Sequence, residues 1–144
     1  MRIASLAIAL SVTVGPALVL PLLSGAAEAV QDQPVSIGGI ETVCTGVGSA
    51  KDNPAWSAYP VKLVFANPAG ENLAAVHVAV SQGGRALVET DCDAPWLLMK
   101  LPAGTYAATA TFASGTGPRV GKADFVTRGG AQQTVNVVLP PAGK

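Results

Sequence analysis

Histidine occurs once in this chain, cysteine, tryptophan and tyrosine twice each, and charged residues make up only 12% of it. Each scarcity removes a class of activity. The nine basic and nine acidic residues cancel and stand singly, so no basic stripe exists to release counterions from a polyanion and no nucleic-acid partner is expected. A polybasic segment that could dock on anionic lipid is also missing. With His77 the sole histidine and no G-x-S-x-G elbow, a Ser-His-Asp triad would have to be drawn from unmarked serines. Met99 is the only methionine after Met1, so a copper or zinc site is short of ligands. "GVG" at 46–48 has neither a flanking βαβ pattern nor a P-loop lysine in register, and reads as a turn or bulge. No cofactor is expected.

The chain does have a well-formed leader. Arg2 is followed by an apolar run from Ile3 to Leu23 and then by small residues, the layout of a secretory signal peptide. Ala27 and Ala29 suit the positions before a cut, which makes 1–29 the signal peptide and Val30 the mature start; a cut after Ala27 is the alternative. An uncleaved anchor is the competing reading, since about 20 apolar residues span a bilayer. Pro16 and Pro21 interrupt such a helix and no strongly basic stop follows, so no membrane span is expected in the mature form. Alanine at position 26, where a lipoprotein signal would carry cysteine, excludes a lipid anchor there. The expected location is the periplasm or the exterior.

Cys44 and Cys92 both lie beyond the leader, and an exported chain with two cysteines allows one disulfide. Neither sits in a C-x-x-C context, which argues against a redox or metal pair.

About 115 mature residues suffice for one domain. Residues 30–60 read as an N-terminal segment: a flexible lead-in to about Ile40, a short extended piece around Cys44, and then "KDNPAWSAYP". There Asp52 or Asn53 can cap, Pro54 suits a first helical position and Pro60 stops the chain, so a short helical turn is expected near 53–59. From 61 to 140 the pattern becomes one of strands. Seven short runs rich in Val, Thr, Leu and aromatics, at 61–66, 74–80, 85–90, 95–100, 105–112, 120–126 and 133–139, are separated by turn residues such as "NPAGEN", "SQGG" and "LPAG". They predict an all-β fold, an antiparallel seven-stranded β-sandwich of the transthyretin-like or Ig-like kind. Alternation puts Val61, Leu63 and Phe65 on one face, Val76, Val78 and Val80 on another with His77 turned away, and Tyr106, Ala108, Ala110 and Phe112 together. Val135, Val137 and Leu139 point inward by the same rule.

The segment "LPAGTYAATATF" resembles the LPPGxYxLxA motif of carboxypeptidase regulatory-like domains, which are small transthyretin-like β-sandwiches. Leu101, Pro102, Gly104, Tyr106 and Ala110 occupy its positions. The preceding "VHVAVSQGGRALVETDCDAPW" is similar to the V-x-V-x-D-x-x-G-x-x-V hairpin, with Gly84 as the turn glycine and "SQ" where an aspartate is often seen. Over Gly46 to about Val138 the chain resembles small exported proteobacterial proteins of this kind. The resemblance implies a sandwich with an inward-pointing tyrosine and says little about role, because such domains serve as accessory, sugar-binding and structural modules. Transthyretin-like enzymes that hydrolyse 5-hydroxyisourate rely on several histidines, an arginine and a terminal Tyr-Arg-Gly-Ser, and neither the single His77 nor "VVLPPAGK" resembles that set.

Three groups remain as candidate sites. Trp56 and Tyr59, three apart on the helical turn, either pin that turn to the body or form a small sugar-stacking face. Trp96 alternates with Leu98 and is expected in the core. Glu89, Asp91 and Asp93 around Cys92 supply hard oxygens for a cation, or are an acidic inter-strand loop. His77 on its strand is the remaining catalytic candidate. The expected function is non-enzymatic: an accessory, binding or structural module of the cell envelope, with an envelope protein or a polysaccharide as partner. A carbohydrate-binding module and a small periplasmic hydrolase are the alternatives.

Overall fold

The computed structural model describes Gly15, residues 30–114 and residues 117–141. The expected leader thus lies outside the described residues apart from Gly15. Among these described residues nine strands form two sheets. They are β1 (Val35–Ile37), β2 (Ile40–Thr45), β3 (Val61–Ala66), β4 (Val76–Gln82), β5 (Arg85–Cys92), β6 (Trp96–Met99), β7 (Gly104–Ser114), β8 (Gly117–Thr127) and β9 (Gln133–Val138). The first sheet runs β1-β2-β6-β3-β9 and the second β5-β4-β7-β8. Among the described residues no helix is long and apolar enough to cross a membrane.

Two expectations are corrected. The strands number nine rather than seven, because β1 lies in the stretch read as a flexible lead-in and β2 is the short extended piece around Cys44, outside the seven runs that begin at residue 61. Neither shows a period of two: β1 has three residues, and in β2 Thr42, Val43, Cys44 and Thr45 are all buried, since that strand is covered on both faces. The sandwich is also not wholly antiparallel. β3 and β9 pair in parallel, from Val61 opposite Gln133 to Ala66 opposite Val138. Parallel neighbours need a long connection, and here it includes the entire second sheet.

Where one face is solvated the alternation holds. Val61, Leu63 and Phe65 are buried, as are Val76, Val78 and Val80, Tyr106, Ala108 and Ala110, and Val135, Val137 and Leu139. Each such large side chain removed from water contributes about 1.5–3 kcal/mol before entropy is counted. Phe112 is only half-buried, at the edge of this cluster. The bend after β6 is closed from within: the Tyr106 hydroxyl donates to the Pro102 carbonyl at 2.7 Å, and its ring stacks on Phe125 at 5.7 Å.

Cys44 and Cys92 form a disulfide, with Cα atoms 5.6 Å apart. Cys92 ends β5 rather than sitting in a loop, so the bond joins the first sheet to the second through the core.

Candidate functional site

The outer face of the first sheet carries a lid made by the helical segment. Two short 3-10 turns, Gly48–Asp52 and Pro54–Ala58, follow β2. Asn53 caps the second, its Oδ1 accepting from the Ala55 amide at 2.9 Å, with Pro54 in the first turn position where a missing N–H costs nothing. This geometry drives Trp56 and Tyr59 down onto Val43 and Leu98 as a second small core. Trp56 is 7% and Tyr59 3% exposed, and the rings meet edge to face at 6.1 Å. The indole Nε1 donates to the Ala50 carbonyl at 2.7 Å, and Gln132 Nε2 donates to the Trp56 carbonyl at 2.8 Å. Tyr59 Oη donates to Glu41 Oε1 at 2.8 Å, while Lys100 Nζ lies 3.0 Å from Glu41 Oε2. Lys100, then Tyr59, holds the Glu41 carboxyl below its usual range; burial, then Glu41, pushes the Tyr59 hydroxyl up. Of the two readings of Trp56 and Tyr59 the geometry matches the first: both rings fasten the turn to the sheet, and neither forms a sugar-stacking face.

The accessible indole belongs to Trp96. In β6 it is Leu97 and Met99 that face the main core, and Trp96 and Leu98 that face outward. All four residues of "WLLM" are apolar, so sequence alternation carries no sign there, and the expected core position of Trp96 is corrected. Trp96 is half-buried, opposite Val64 on β3 and Thr45 on β2. The Lys62 ammonium sits 3.4 Å from its ring centroid, a cation–π contact. Burial pushes the Lys62 amine down, and among the described residues no carboxylate lies within ion-pair distance of Lys62 or Lys51.

Around this pair lies a cavity of about 190 Å³ lined by Lys51, Asp52, Asn53, Trp56, Lys62, Trp96 and Gln132. It offers an aromatic wall, two cations against one carboxylate, and two amide side chains. Lys62 and Gln132 were invisible as site residues in the sequence, because they arrive from β3 and from the turn before β9 and meet only through the parallel pairing.

His77 lies on the outer face of the second sheet. Its Nδ1 is 2.7 Å from Asp91 Oδ1 and its Nε2 is 3.0 Å from Glu89 Oε1. The β4–β5 register produces this contact by setting His77 opposite Asp91 and Ala79 opposite Glu89. The Asp91 hydrogen bond, then that of Glu89, raises the imidazole above its usual value. Both ring nitrogens are engaged, so none is free to take a proton from a nucleophile. Glu89 and Asp91 stand on strand β5, not in a loop, and address opposite sides of one ring; Asp93 is exposed beyond the strand. Among the described residues no group of three or more His, Cys, Asp or Glu could hold a metal ion.

Comparison with protein-family models found no match, and no curated protein matches the chain.

Proposed function

We propose that this chain is a non-enzymatic, exported β-sandwich module of the cell envelope, and that it works by binding a ligand in the Trp96–Lys62 cavity. The carrying observation is an accessible indole with an uncompensated ammonium over its face, inside a polar-rimmed cavity of about 190 Å³. With Lys62 over the ring and Gly46 against it, a ligand meets the Lys62 ammonium and the part of the indole left uncovered beside it, an apolar surface that suits the C–H groups of a sugar ring. Asn53, Asp52 and Gln132 can exchange hydrogen bonds with ring hydroxyls, and Lys62 and Lys51 favour a carboxylate over a neutral substituent. The cavity is smaller than the roughly 300–1,000 Å³ of sites that enclose drug-sized ligands, so it takes one ring of a longer chain. An acidic polysaccharide unit is the ligand class that fits.

Export is supported by the leader-like sequence of residues 1–29 and by the disulfide, a bond that persists in oxidising compartments. The two-sheet fold with its tyrosine-closed bend agrees with the resemblance to carboxypeptidase regulatory-like domains. The hydrolase alternative is disfavoured by the occupied nitrogens of His77.

Titrating tryptophan emission with uronic-acid oligosaccharides and with neutral ones tests this reading. The protein should respond to the acidic series, Trp96→Phe should lose the response while Trp56 still reports folding, and Lys62→Met should lose the preference for acidic over neutral rings. An unchanged spectrum across both series overturns it.

A further inference from the structure

The second sheet ends in β8, eleven residues whose only strand partner among the described residues is β7. Among the described residues no strand pairs with the opposite edge of β8: β9 closes on its inner side at Gly121, where a Cβ would run into the Val138 carbonyl oxygen, and beyond that contact an open cleft of about 470 Å³ separates Asp124–Val126 from residues 133–135 of β9. A long edge without a strand partner is a template for another strand, and proteins usually blunt it with charged side chains, proline or a bulge. Here Pro118 lies at the far end, and the β7–β8 ladder runs without a break from Gly104–Thr127 to Ser114–Gly117.

The outward side chains of this edge are Val120, Lys122, Asp124 and Val126, all exposed. Read about Ala123 they form a self-complementary series. We propose that β8 pairs antiparallel with β8 of a second copy of this chain, about a two-fold axis through Ala123, joining two four-stranded sheets into one of eight strands. Lys122 of each copy then faces Asp124 of the other, and Val120 faces Val126, each contact made twice. Val120 is 44% and Val126 55% exposed in the single chain, and the pairing covers both. Neither Lys122 nor Asp124 has an ion-pair partner among the described residues. Their β7 neighbours, Thr109 and Ala107, are small and leave the charged side chains room to reach across the edge.

The alternative registers fail on the same chemistry. Moving the axis to residue 122 sets lysine against lysine, and moving it to residue 124 sets aspartate against aspartate, both unfavourable cross-strand pairs. An axis between residues would oppose outward side chains with inward ones, which the pleat forbids. An axis at Gly121 or Phe125 leaves Lys122 and Asp124 without an opposite charge, so the register about Ala123 is the one of these that pairs both charges favourably. It lies on the other sheet from Trp96 and Lys62 and stands independently of the ligand reading.

Edge pairing alone buries less surface than an obligate dimer needs, so association depends on concentration and salt. Sedimentation of the exported, oxidised protein across a concentration series should show a monomer–dimer equilibrium. Lys122→Asp and Asp124→Lys, each opposing like charges twice, should raise the dissociation constant about tenfold or more. The double variant with both substitutions restores opposite charges and should return it to near the starting value. These side chains are exposed, and an unchanged melting temperature in each variant separates lost pairing from lost folding. A protein that stays monomeric throughout, single variants that associate as tightly as the original, or a double variant that fails to recover overturns the proposal.

Discussion

Gly46 and Trp96 are in direct contact: a Cβ on Gly46 would lie 2.7 Å from Cγ and Cδ2 of the indole, and the backbone there has φ of +113°. Only glycine satisfies both conditions. Gly46→Ala should lower stability by about 1–3 kcal/mol and displace the ring that walls the cavity. Thermal denaturation and the near-ultraviolet circular dichroism of tryptophan would register both effects; an unaltered near-ultraviolet spectrum would mean that the ring is not held this way.

The bridge between the sheets closes a long loop, Cys44 to Cys92, a separation of 48 residues. In the chain-entropy account that constrains the unfolded state by about 4 kcal/mol. Cys44→Ser should lower the melting temperature about as far as reduction of the original protein does, and reduction should then have no further effect on the variant. Two reactive thiols in the denatured, unreduced protein would contradict the bond.

His77 makes stability depend on pH with a definite sign. Asp91 and Glu89 raise its folded value above the ordinary 6.5, so the folded state binds the proton more tightly than the unfolded chain does. The contribution is fully present below about pH 6.5 and is lost as pH rises through the raised folded value. The imidazole is nearly half exposed, 47%, so the effect is modest. Nuclear magnetic resonance titration should place its midpoint above 6.5, and Asp91→Asn should move it down. A midpoint at or below 6.5 in the original protein would refute the assignment.

How much of this was legible depended on whether a strand is solvated on one side. Val61, Leu63 and Phe65, or Val76, Val78 and Val80, announced their face because polar or small residues alternate with them. Thr42 to Thr45 and Trp96 to Met99 did not, because the turn carrying Trp56 and Tyr59 covers the outer side of their sheet and makes both faces apolar. The i, i+3 spacing of Trp56 and Tyr59 was readable, but not the fact that a sheet face waits beneath them. Cys44–Cys92 could be paired by elimination. The contacts of His77 with Asp91 and Glu89 and of Lys62 with Trp96 depend on strand register, and the position of β9 on a parallel partner. Nothing in a local window encodes either.

That parallel pairing orders events in time. Val61 finds its neighbour in Gln133, so the first sheet cannot be completed until the last strand has been made. Contacts of such long sequence separation place a domain among the slow folders, on the order of milliseconds to seconds. Cys92 precedes β9, so oxidation can tie β2 to β5 while the β3 edge is still open. The covalent link then shortens the search that β9 ends, and a chain lacking that strand would carry its disulfide around an unclosed core.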